Sequence, residues 1–75
     1  MTINDLVPGT RAKIIGYLSG SATYRTKLLA LGLTRGSEIK ITGVAPLGDP
    51  VSLEVRGFKL SLRKAEAAVV EVEIV

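Results

Sequence analysis

The sequence predicts a mainly β protein with one or two short helices, a small antiparallel β-barrel with a helix inserted between its first two strands. Three observations carry that prediction. Apolar and polar residues alternate over short segments, at Thr10–Leu18, Glu38–Val44, Val51–Arg56, Phe58–Arg63 and Val70–Val75. Helical spacing occurs in one long enough segment, Ala22–Leu31. Glycine, proline and serine punctuate the joints between segments.

In chain order, Leu6-Val7-Pro8-Gly9 reads as a turn into the first strand, because Pro-Gly sets turn dihedrals. Within that strand Ala12, Ile14 and Gly16 share one face, and Arg11, Lys13, Ile15 and Tyr17 the other. Ser19-Gly20-Ser21 breaks it, and Ser21 is a helix N-cap candidate. Tyr24, Leu28 and Leu31 then form the apolar stripe of the helix, with Arg25 and Lys27 outside it. Gly32 supplies a left-handed residue at C′, which makes Leu28 and Leu33 the touching pair of a Schellman motif.

Ile39 and Ile41 alternate with Glu38, Lys40 and Thr42 in the next strand, and Val51, Leu53 and Val55 with Ser52, Glu54 and Arg56 in the one after. Gly57 turns the chain into Phe58, Leu60 and Leu62, alternating with Lys59, Ser61 and Arg63. Lys64-Ala65-Glu66-Ala67 is expected to make one helical turn before the last strand. Short strands closing on themselves hide edges that would otherwise pair with other chains. This element order resembles an SH3-like barrel.

Seventy-five residues make one small domain, 1–75, with a modest core that rests on packing alone because there is no cysteine to crosslink it. No run approaches the roughly 18–20 apolar residues that span a bilayer. Met1-Thr2-Ile3-Asn4-Asp5 has neither the basic nor the apolar part of a signal peptide, so a cytoplasmic location is expected. The net charge of +3 is a mild bias, without a basic run.

The chemistry inventory disfavours catalysis. Without histidine or cysteine, the commonest general base and the usual thiol nucleophile are missing. No glycine-rich phosphate cradle precedes a helix. Transition metals bind best to thiolate and imidazole, so only oxygen ligands remain, from Asp5, Glu38, Asp49, Glu54, Glu66, Glu71 and Glu73. We therefore expect no catalytic residue, no metal ligand and no cofactor. Nucleic acid is not the expected partner either. Arg56, Lys59, Arg63 and Lys64 lie close in sequence, but Glu54 and Glu66 dilute them. Phe58 and Tyr24 fit apolar faces, which leaves Tyr17 as the one stacking platform. A small basic barrel that binds nucleic acid, and a barrel that self-associates through an edge, remain alternative readings.

The stretch Ala45-Pro46-Leu47-Gly48-Asp49-Pro50 exceeds what a hairpin needs. Pro46 and Pro50 fix φ and remove donors, Gly48 allows positive φ, and Asp49 can bond local backbone. The loop is expected to be stiff and shaped, which suits recognition and equally suits a plain rigid turn.

Two stretches carry a family resemblance. Tyr24-Arg25-Thr26-Lys27-Leu28-Leu29-Ala30-Leu31-Gly32-Leu33-Thr34-Arg35-Gly36 resembles the helix-and-turn signature of the ferrous iron transport protein A (FeoA) family, and Ala45–Pro50 its second signature. The two occur in the family's order, and Pro8-Gly9 and Val70–Val75 also fit, so nearly the whole chain is covered. The resemblance implies an SH3-like barrel and a cytosolic accessory of FeoB, a membrane iron transporter with a cytosolic G-domain. The membrane is then reached only through the transporter. The family's description as transition-metal binding has no imidazole or thiolate to rest on here.

On this reading the partner-binding residues are Leu47, Gly48, Asp49 and Pro50 in the loop, and Arg25 and Lys27 on the helix. Leu47, set among turn residues, is the apolar anchor. A solvated helix face is the other reading of Arg25 and Lys27, and homo-oligomerisation is compatible with either.

Overall fold

The computed structural model describes residues 1–75. A short 3-10 turn, Ile3–Asp5, precedes five strands: β1 (Arg11–Tyr17), β2 (Glu38–Val44), β3 (Val51–Val55), β4 (Phe58–Leu62) and β5 (Val70–Ile74). Helix α1 (Ala22–Ala30) joins β1 to β2, and the single turn α2 (Lys64–Ala67) joins β4 to β5. The strands form one antiparallel sheet in the order β4-β3-β2-β1-β5. The mainly β architecture with the helix between the first two strands is as predicted. The 3-10 turn was not anticipated; there Thr2 N–H donates to Asp5 Oδ2 at 2.8 Å.

Alternation explains which face is buried. Ala12 and Ile14, Ile39 and Ile41, Val51, Leu53 and Val55, Leu62, and Val70 and Val72 all point inward. Ile3, Leu6, Leu28, Leu33 and Ala67 close this core from the connecting segments. The outer face is solvated by charges of both signs, mostly in opposite-charge pairs, although Arg11 lies opposite Lys40. Lys59 lies opposite Glu54 and Glu54 opposite Lys40, while Lys13 lies opposite both Glu38 and Glu73. Such cross-strand pairs stabilise a sheet face modestly and leave no single-sign groove for a phosphate backbone.

Local chemistry also sets the end of α1. Gly32, at φ +94°, donates to Leu29 O at 3.0 Å, and Leu33 N–H donates to Leu28 O at 3.1 Å. These are the two bonds of a Schellman motif, and both Leu28 and Leu33 are fully buried.

Four expectations need correction. A bulge between Ile14 and Gly16 shifts the register, so Tyr17 pairs with the buried Val70 and faces inward. Its hydroxyl donates to Leu33 O at 2.6 Å, and it is no stacking platform. On α1 only Leu28 is buried, while Tyr24 and Leu31 remain 37% and 39% exposed, because the helix touches the core along a narrow line. Phe58, at the hairpin tip beyond the reach of the core, is 71% exposed rather than packed. Ser21 stands at the N-cap but makes no cap bond; its hydroxyl donates back to Leu18 O.

Candidate docking surface

The proline-rich loop is built from its backbone outward. Gly48 N–H donates to Ala45 O at 2.7 Å, closing a turn with Pro46 and Leu47 at its two central positions. Ala45 N–H donates to Pro50 O at 3.1 Å and ties the two ends of the loop together. Gly48 sits at φ +81°, and the Asp49–Pro50 peptide is cis. This turn leaves Leu47 88% exposed, the most exposed large apolar side chain of the protein. The Asp49 carboxylate is turned inward along the surface, where Oδ1 accepts from Lys64 N–H at 3.0 Å. Asp49 thus anchors the loop to the start of α2, and Leu47 projects from that anchored frame.

The helix side separates the two basic residues. Lys27 Nζ donates to Glu66 Oε2 at 2.6 Å, in the one salt bridge of the structure. Glu66, expected from the sequence to dilute a surface patch, is buried, and its Oε1 accepts from Arg63 N–H at 2.9 Å. The hydrogen bond from Lys27, and then that from the Arg63 backbone, hold the Glu66 carboxyl below the usual carboxylate range despite its burial. Lys27 is therefore satisfied within the chain.

Arg25 has no acidic partner. It lies with its guanidinium carbon 6.0 Å from the centre of the Tyr17 ring, a cation–π contact. Burial pushes the Tyr17 phenol above its ordinary value, and the charge of Arg25 partly opposes this. Arg25, Tyr17, Gly16, Leu29 and Arg35 line a hollow of about 310 Å³. Arg35 reaches across Gly16 so closely that a Cβ there would stand 3.3 Å from a guanidinium nitrogen. Two unpaired guanidinium groups beside the half-exposed Leu29 make a basic hollow with an apolar rim. Sequence reasoning found Arg25 but missed Arg35, Gly16 and Leu29. Their proximity depends on how the chain returns after α1, and no local pattern encodes it.

Arg11, Lys40 and Arg56 line a separate hollow on the outer face, which Glu38 and Glu54 share. Arg56, at φ +50° in the hairpin turn, donates to Thr34 Oγ1 and Ser37 Oγ, while Lys59 belongs to the mixed-charge outer face. The carboxylates do not converge as a metal centre would require. No group of three metal-ligating side chains occurs, so these residues do not fit a transition-metal site. No helix is long and apolar enough to cross a membrane.

Comparison with known proteins identifies the relatives of this arrangement. The Fe(2+) transport protein A/Fe(2+) transporter FeoB fusion protein of Porphyromonas gingivalis is 33% identical over 75 residues, covering 100% of this chain but only 9% of that protein. The chain thus spans a small part of the length of that relative. The solution structure of an FeoA-like protein from Clostridium acetobutylicum is 41% identical with a TM-score of 0.91, over 100% of this chain and 86% of that one. A zinc complex of Stenotrophomonas maltophilia FeoA, described as a procaryotic SH3 domain protein, matches with a TM-score of 0.74 at 25% identity, over 97% of this chain and 89% of that one. The SH3-like architecture expected from the strand pattern is the one these neighbours share. The FeoA domain model matches residues 1–74, and the chain belongs to that family, which is linked to ferrous iron transport.

Proposed function

We propose that this chain is a non-catalytic, cytoplasmic accessory of ferrous iron uptake, which docks on the cytosolic part of a FeoB-like transporter and modulates its activity. The observation that carries the proposal is the P. gingivalis relative, in which a homologous segment and the transporter are one polypeptide. Fusion holds two modules at a high effective concentration. A separate chain needs a binding surface to reach the same arrangement. Two surfaces are suited to such docking, Leu47 on its anchored loop and the hollow of Arg25, Arg35 and Leu29. An exposed apolar anchor contributes affinity, and unpaired guanidinium groups select acidic side chains on the partner.

The test is an NMR titration of the isotope-labelled chain with the cytosolic domain of the cognate transporter, with and without guanine nucleotide. Shifts concentrated on Leu47–Pro50 and on Arg25, Leu29 and Arg35 are expected. The absence of shifts with that domain, and again with the full-length transporter in detergent, would overturn the proposal.

A further inference from the structure

The two edges of the sheet differ. Beyond β5 lies the N-terminal segment: Val72 N–H donates to Met1 O at 2.9 Å, and Thr2 bridges Glu71. Beyond β4 lies nothing, since β3 is its only neighbour. Arg56 and Gly57 form a two-residue hairpin loop with Val55 opposite Phe58. In such a hairpin the closing pair exchanges hydrogen bonds, and the bonded pairs then alternate along the ladder. Phe58, Leu60 and Leu62 therefore direct their backbone groups to β3, and Lys59 and Ser61 direct theirs outward. No other backbone or side-chain group of the protein meets those of Lys59 and Ser61. On the core-facing side of the same edge, Phe58 is 71% exposed and Leu60 is only partly covered.

We propose that β4 is a self-pairing edge, on which a second copy of this chain docks antiparallel about a twofold axis through Leu60. Charge selects this register. Antiparallel pairing of the outward groups can be centred on Lys59, Leu60 or Ser61. Centring on Lys59 sets Lys59 against the partner's Lys59, and centring on Ser61 sets it against the partner's Arg63. Like charges directly opposite destabilise a strand pair. Centring on Leu60 sets Lys59 against the partner's Ser61 in both halves and completes hydrogen bonds for all the outward groups. The same register sets Phe58 opposite the partner's Leu62, which is buried in its own core, and beside the partner's partly covered Leu60, whose exposed side meets the ring.

Because the twofold pairing uses the β4 edge of both copies, it is closed at a dimer through this edge. Five residues a side fall below the standard interface size, so the dimer is weak and concentration-dependent. Self-pairing through β4 is independent of docking on the transporter.

The test is sedimentation and NMR line width of the full chain up to about 1 mM, a concentration that detects even a millimolar dissociation constant. A reversible dimer is expected, with broadening centred on β4. Ser61→Glu places a carboxylate against Lys59 twice and tightens the dimer several-fold, whereas Ser61→Lys weakens it by a similar factor, each pair being an exposed cross-strand contact. A strict monomer throughout the range overturns the proposal. So does a dimer that the two variants leave unchanged or move in the same direction.

Discussion

Lys27 and Glu66 meet at 2.6 Å across a sequence separation of 39 residues, and the pair joins the middle of α1 to the single turn of α2. The two partners are unequal. The Lys27 side chain is 60% exposed and that of Glu66 is 4% exposed. Losing the lysine leaves a buried carboxylate that still has the Arg63 N–H, whereas losing the carboxylate removes both bonds. Lys27→Met is expected to cost about 1–2 kcal/mol and Glu66→Ala about 2–3 kcal/mol in urea denaturation: a hydrogen bond to a charged group contributes about 1.5–3 kcal/mol at most, and solvent around the exposed lysine screens its share.

The same pair predicts a pH dependence. The folded-state pKa of Glu66 is depressed, first by the hydrogen bond from Lys27. A depressed carboxylate pKa stabilises the fold above the unfolded value of about 4.3 and loses that stabilisation as pH falls through the folded value. Melting temperature should therefore decline below about pH 4.3 more steeply in the native chain than in Glu66→Gln. Parallel declines in the two proteins would assign acid sensitivity to other carboxylates.

The end of α1 gives a second prediction about stability. Gly32 holds φ +94° with nothing within 4 Å of a Cβ position, so a substitution there meets backbone strain and no clash. Gly32→Ala is expected to cost about 1–2 kcal/mol. Gly32→Asn should cost less, because asparagine tolerates this conformation at C′. Urea denaturation of the two variants measures the difference.

These positions show what was legible in the sequence. The Schellman end, the turn α2 and the strand faces depend on residues within a few positions of each other, so spacing revealed them. Tyr17 was misplaced because one bulged residue reverses the face of everything after it, and alternation carries no sign of a bulge. Tyr24 and Leu31 have core spacing, yet only Leu28 is buried, since how closely the helix approaches the sheet is a tertiary matter. Of the candidate surface, the exposed Leu47 was legible from turn chemistry. The link between Glu66 and Lys27, and the convergence of Arg35 on Gly16, required the fold.

Within the proline-rich loop, presentation can be separated from contact. Leu47 is 88% exposed, so Leu47→Ala should change stability by less than about 0.5 kcal/mol while weakening transporter binding. Asp49→Ala removes the acceptor for Lys64 N–H and should cost about 1 kcal/mol, comparable to losing a helix cap. If Leu47 is the contact and Asp49 its support, NMR of the free Asp49→Ala chain will show altered shifts across Ala45–Pro50. The free Leu47→Ala chain will show changes only beside the substitution.

The basic hollow is open to a test that alters no charge. Gly16 lies outside the left-handed region, so Gly16→Ala introduces no backbone strain. The new methyl stands 3.3 Å from the Arg35 guanidinium, the far end of a flexible side chain, which moves away. Stability is expected to stay within about 0.5 kcal/mol. Transporter affinity should fall several-fold, and Arg35→Gln should produce a loss of the same size. The double variant Gly16→Ala/Arg35→Gln should then lose no more than Arg35→Gln alone, because both changes remove the same guanidinium from the hollow. Additive losses would mean that Gly16 acts on the surface independently of Arg35.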